Sequence, residues 1–160
     1  MSPDRESLGR VGLVVLALVA HAALHGCGAS ALDRGRSAVA VTARAVAAAD
    51  SVAADVIERR FAAVETPEQL ERERERAERV VRAFVGAHAV IVAADTTLDV
   101  AETAGTEGAS WQDALVCVMP ALLHLADVLA AYGVGDAVTE PLRFAVGLLS
   151  GFVDGECGTP

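Results

Sequence analysis

The sequence predicts an all-α protein: a long antiparallel helical hairpin with two shorter helices packed on it, in a four-helix bundle-like arrangement. Three observations predict it. Hydrophobic residues make up 53% of the 160-residue chain but aromatics only 4%, so the apolar mass is Ala, Val and Leu, a balance that favours close-packed helices over sheets. Apolar residues recur every seven positions from Leu70 to Leu98, as one face of a long packed helix requires. Thr66-Pro67-Glu68-Gln69 is a capping box with proline at the first helical position, and it marks a helix start directly behind another helix.

The first element is not part of that fold. Arg5 and Arg10 precede an apolar run from Val11 to Leu24 that contains no charge, the pattern of a signal peptide over residues 1–26. The run ends in Leu24-His25-Gly26-Cys27. This junction resembles the lipobox of bacterial lipoprotein precursors, in which a branched apolar residue and a small residue precede a cysteine. The resemblance implies that Cys27 carries a diacylglyceryl group, becomes the first residue of the mature chain and receives a further fatty acyl group such as palmitate. Several acyl chains hold a protein durably where one is marginal. Two other fates of the same segment compete: an uncleaved transmembrane helix, since Val11 to Leu32 lacks Asp, Glu, Arg and Lys, and ordinary cleavage after Ala22 or Ala31.

Residues 27–160 form the helical domain, with the hairpin over 31–104, a linker over 105–110 and helices over 111–132 and 139–153. The first arm begins at a cap, Ser30 or Ser37, and places Val39, Val46, Ala53, Ile57, Phe61 and Val64 on one narrow face. With only Glu65 before the Thr66 cap, the second arm must fold straight back. Its seam is Leu70, Ala77, Phe84, Ile91 and Leu98, with Val80, Ala87, Ala94 and Ala101 between them. Near the tip the run Glu71-Arg72-Glu73-Arg74-Glu75-Arg76 reads as a solvated helix face, with Glu68–Arg72, Glu75–Arg79 and Glu78–Arg82 spaced to pair along the helix.

The third helix carries Leu115, Val118, Leu122, Leu125, Leu129 and Tyr132 at a/d spacing, dense enough to lie in the middle of a bundle, with a kink at Pro120. Gly133-Val134-Gly135 ends it. The fourth repeats Leu142, Ala145, Leu149 and Phe152, from about Pro141 onward, and its Gly147 and Gly151 read as a tight-packing pair.

Charge and motifs narrow the function. The formal net charge is −9, and residues 105–160 carry one base, Arg143, against seven acids; that surface repels phosphate backbones, so no nucleic acid is expected as a partner. No nucleotide-binding loop, GxSxG elbow or CxxC, HExxH or EF-hand spacing occurs. His124 and Asp127 share a helix face, and Asp95, Asp99 and Glu102 gather near the end of the second arm, but neither group makes a ligand set. No catalytic residue, metal or cofactor is expected. If Cys27 is lipidated, Cys117 and Cys157 remain, an even pair in an oxidising compartment, and equal steps from the 133–138 turn bring them within reach of a disulfide. The expected protein is a non-catalytic envelope lipoprotein at the periplasmic face of the outer membrane, a structural or interaction module touching an unknown envelope protein. A lysis-type or pore-forming protein with helices 111–132 and 139–153 inserted is the alternative.

Overall fold

A computed structural model describes residues 31–104 and 110–151, and within them the chain forms four helices: α1 (Ala31–Ala62), α2 (Pro67–Ala104), α3 (Ser110–Tyr132) and α4 (Asp136–Ser150). The fold is all-α. Successive helices pack on one another, α4 closes back onto α1, and α1 barely touches α3. This is an up-down-up-down bundle, so α3 occupies a corner and not the middle. Its density of leucine is used on two sides, against α2 and α4.

The turn between α1 and α2 forms as its residues dictate. The Gln69 amide donates to Thr66 Oγ1 at 3.2 Å, and Gln69 Oε1 accepts from the amides of Thr66 at 3.2 Å and Glu65 at 2.9 Å. Four orphan donors at a helix start need partners, and this box supplies several within one turn. The hairpin is therefore closed by local chemistry. At 1.5 Å per residue the 32 residues of α1 span about 48 Å.

Along α2 the seam residues Val80, Phe84, Ala87, Ile91, Ala94, Leu98 and Ala101 are buried, whereas Leu70 and Ala77 are half-buried. The same fading occurs on α1: Val39, Val46 and Ala53 are buried, and Ile57, Phe61 and Val64 are not fully so. The two arms keep their seam where α3 and α4 cover it. Beyond Tyr132 no other described helix covers it.

All six seam residues of α3 are buried, and the helix runs through Pro120 without a break, with that residue exposed. At its end the Val134 amide donates to the Leu129 carbonyl at 2.9 Å and that of Gly133 to Ala130 at 3.0 Å, while Gly133 takes φ 92°. That is the two-bond glycine stop, and a side chain there would be strained.

Two boundaries differ from expectation. α4 starts at Asp136, a turn earlier than Pro141, because Val138 and Thr139 find burial there. Its cap, Gly135, offers no side chain, so the start has no local signature. At the other end, α1 runs from Ala31 through Ser37, whose hydroxyl donates back to the Asp33 carbonyl at 2.9 Å and caps nothing. Gly35 sits mid-helix for a packing reason: a Cβ on it would lie 2.8 Å from Trp111 Cζ3. The indole of α3 occupies the space a side chain would take.

Gly147 is a correction. It is exposed, and a Cβ there would meet nothing within 4 Å, so the Gly147/Gly151 spacing makes no tight contact in this bundle. By length and composition α1, α2 and α3 are each apolar enough to cross a membrane, which suggests membrane association.

Candidate functional site

Cys27 and Cys157 lie outside the described residues. Cys117 is half-buried on α3 and disulfide-bonded. Ala31, the first described helical residue, stands four positions after Cys27.

The other polar groupings do not converge on chemistry. His88 and His124 are exposed, and Asp127 pairs with Arg143 of α4 at 3.3 Å and not with His124. Asp99 and Glu102 do not crowd with Asp95 into an acidic patch, because Arg36 of α1 bonds Asp99 and reaches Glu102 at 2.7 Å. That fork ties the open end of the hairpin. Among the described residues no cluster of three or more His, Cys, Asp or Glu side chains could hold a metal ion.

The most chemically distinctive place is the other end, where α1, α2 and the α3–α4 turn meet. A cleft of about 330 Å³ is lined by Arg60, Gln69, Arg72, Glu73 and Arg76 with Ala63 and Val64. A second, of about 180 Å³, adjoins it and is lined by Arg60, Arg76, Arg79, Val80, Val128, Ala131 and Tyr132. The two share Arg60 and Arg76.

Helical spacing assembles this. Positions 72, 76 and 79 of α2 follow i, i+4, i+7 and share one face, while Glu71, Glu75 and Glu78 fall on a neighbouring one. The alternating run of the sequence is thus sorted by the helix into a basic and an acidic strip. Of the three pairs expected along this helix, Glu78–Arg82 forms at 3.6 Å. Glu68–Arg72 and Glu75–Arg79 do not: Arg72 lines the larger cleft and Arg79 the smaller, each without a carboxylate partner among the described residues.

Glu73 is the carboxylate inside the cluster. Its side chain is 14% exposed and lies 2.9 Å from Arg76 Nη1 and 3.5 Å from Arg60 Nη1. Arg60 also stacks its guanidinium 4.7 Å from the centre of the Tyr132 ring, a cation–π contact of about 0.5 to 2 kcal/mol according to its exposure. Gly133 allows that approach, since its missing Cβ would stand 3.0 Å from Arg60 Nη2. The Tyr132 hydroxyl is buried beside Glu73, the acceptor nearest to hand, with no hydrogen bond of full geometry among the described residues. Burial, and then the nearby charge of Glu73, hold its pKa above the ordinary tyrosine value. It therefore remains a protonated donor at neutral pH.

Sequence reading missed this site because three separate segments build it. The i, i+4, i+7 spacing of Arg72, Arg76 and Arg79 was the available signal, and it was hidden by the regular alternation with glutamate. No protein-family model, curated protein or solved structure matches this chain.

Proposed function

We propose that this protein is a non-catalytic lipoprotein of the bacterial cell envelope, held at the periplasmic face of the outer membrane by acyl groups on Cys27, and acting as a structural or interaction module through the far end of its hairpin. The observation that carries the reading is the separation of the two ends. α1 begins four residues after Cys27 and ends beside the arginine-lined clefts, so an anchor at one end would present the clefts roughly 50 Å away. Replacing Cys27 with Ser should abolish incorporation of labelled palmitate and release the protein from the membrane fraction. Unchanged fractionation would overturn the anchor.

Lipidation of Cys27 goes with a Cys117–Cys157 disulfide, because the lipid consumes the third thiol. Peptide mapping without reductant should give a linked Cys117–Cys157 pair and a modified Cys27. A Cys27–Cys117 peptide would sink both.

The second reading, a lysis-type or pore-forming protein with helices 111–132 and 139–153 inserted, has two observations in favour: α3 is long and apolar enough to cross a membrane, and Leu123 and Phe144 are exposed on α3 and α4. Against it, Arg143 joins Asp127 and Glu140 on those same helices at 3.3 and 3.4 Å, and lipid would have to bury all three charges. Trypsin added from the aqueous side should reach Arg143 in partly unfolded protein on membranes, and full protection would favour insertion.

A further inference from the structure

The arginines of the hairpin tip outnumber the acids that face them. Glu73 satisfies part of Arg60 and Arg76. Arg72 and Arg79 are exposed, line the clefts and make no ion pair among the described residues, although a glutamate stands four positions before each. A helix face that existed only to be solvated would gain by closing those pairs. Four guanidiniums and one carboxylate line the two connected clefts, while Glu68, Glu71, Glu75 and Glu78 of the same helix line neither.

We propose that these clefts bind a phosphate group, free or as a terminal monoester on a lipid headgroup, held by Arg72, Arg76 and Arg79 of α2 and Arg60 of α1. A phosphate monoester fits better than a second carboxylate because it brings two charges and three acceptor oxygens to forked donors that converge from two helices. Tyr132, at the wall of the smaller cleft, holds a buried hydroxyl donor beside Glu73. Glu73 is then the resident anion, keeping Arg60 and Arg76 in place while the site is empty and opposing the ligand's charge when it is filled. The inference deepens the envelope reading by naming what the far end recognises. It stands or falls separately from the lipid anchor.

Two substitutions with opposite expected signs test it. Calorimetry on the full chain in nonionic detergent, titrated with inorganic phosphate and with pyrophosphate, measures binding directly. Arg72→Gln with Arg79→Gln should weaken it by tenfold or more without lowering the melting temperature, since neither residue is buried or paired. Glu73→Gln should tighten binding severalfold, although it removes two ion pairs; a purely structural Glu73 would show only a lower melting temperature. The Cys27→Ser chain must give the same affinities, which separates this site from the anchor. Flotation of that chain with phosphatidylcholine vesicles containing phosphatidic acid, against vesicles with phosphatidylglycerol, tells the two sources apart. Selective flotation with phosphatidic acid assigns a lipid headgroup, and binding confined to phosphate or pyrophosphate assigns a soluble ligand. Absence of binding in every arm overturns the proposal, as do affinities unmoved by the arginine and Glu73 variants, or binding to polyglutamate in place of phosphate.

Discussion

At the Ala31 end of the hairpin, the arms meet through Val39, Ala45, Val46 and Ala49 on one side and Ala87, Ile91, Ala94 and Leu98 on the other, all buried. At the Thr66 end the apolar residues of the hairpin, Ile57, Phe61, Val64, Leu70 and Ala77, are each partly open to solvent. The repeat in the sequence does not change between them; what changes is the cover. α3 and α4 reach as far as Tyr132 and Asp136 and then turn back, so the first half of the seam is enclosed on a third and fourth side and the second half is not. Burial of an apolar side chain stabilises in proportion to the area it loses to its neighbours. One periodic pattern thus yields a dry half that holds the fold and a wet half free to carry arginine.

The comparison breaks most visibly at its two phenylalanines. Phe84 is 6% exposed in the covered half, and Phe84→Ala should cost about 3 to 5 kcal/mol in urea unfolding. Phe61 lies half-buried in the open half, where Phe61→Ala should cost about 1 to 2 kcal/mol, because it gives up a fraction of the same area and leaves no closed cavity. Equal losses would show that the tip is as well packed as the rest. A loss under about 1 kcal/mol at Phe84 would contradict the seam itself.

A smaller effect probes how closely the dry half is fitted. Gly35 has Trp111 Cζ3 where its Cβ would go, with Cε3 at 3.3 Å and Leu98 Cδ2 at 3.4 Å. In an open helix Gly→Ala would gain up to about 1 kcal/mol. Here the indole must shift, and Gly35→Ala should instead lose about 1 to 3 kcal/mol. Near-ultraviolet circular dichroism of the chain's single tryptophan should change with it. A stabilised variant with an unchanged tryptophan signal would mean that α1 and α3 are not in contact at this point.

Much of this architecture is legible in the sequence, and the division between what is and is not has a physical basis. The Thr66 box, the seam of α2, the leucines of α3 and the stop at Gly133 are set by residues within one or two turns of each other, and these were readable. The α4 start, the reason for Gly35 and the arginine clefts depend on partners far along the chain: Trp111 for Gly35, and Tyr132 and Arg60 for the face at 72, 76 and 79. Pro141 misled because proline does favour a first turn, yet burial of Val138 and Thr139 extended the helix ahead of it. Likewise Gly147 and Gly151 had the right spacing for close packing, but which face of α4 meets α1 and α3 is decided by Leu142, Ala145 and Leu149, all buried on the other side.

That last point gives the smallest expected effect, and one of opposite sign. Gly147 lies inside α4 on an exposed face, with open space around the position of a Cβ, and Gly86 stands likewise in the interior of α2. Glycine in a helix interior loses more backbone freedom on folding than alanine does, at a cost of about 0.5 to 1 kcal/mol. With no neighbour to displace, Gly147→Ala should raise stability by about that amount, and so should Gly86→Ala; the sites are on different helices, so the gains should add. The contrast with Gly35→Ala is the sharpest statement of the comparison, since the same substitution is expected to destabilise where the seam is covered and to stabilise where a helix faces outward. Thermal unfolding of the three single variants and the Gly86/Gly147 double variant decides it. A loss at Gly147 would mean that its face is covered by something other than this chain, and a fall in sedimentation coefficient in the same variant would identify a second copy as the cover.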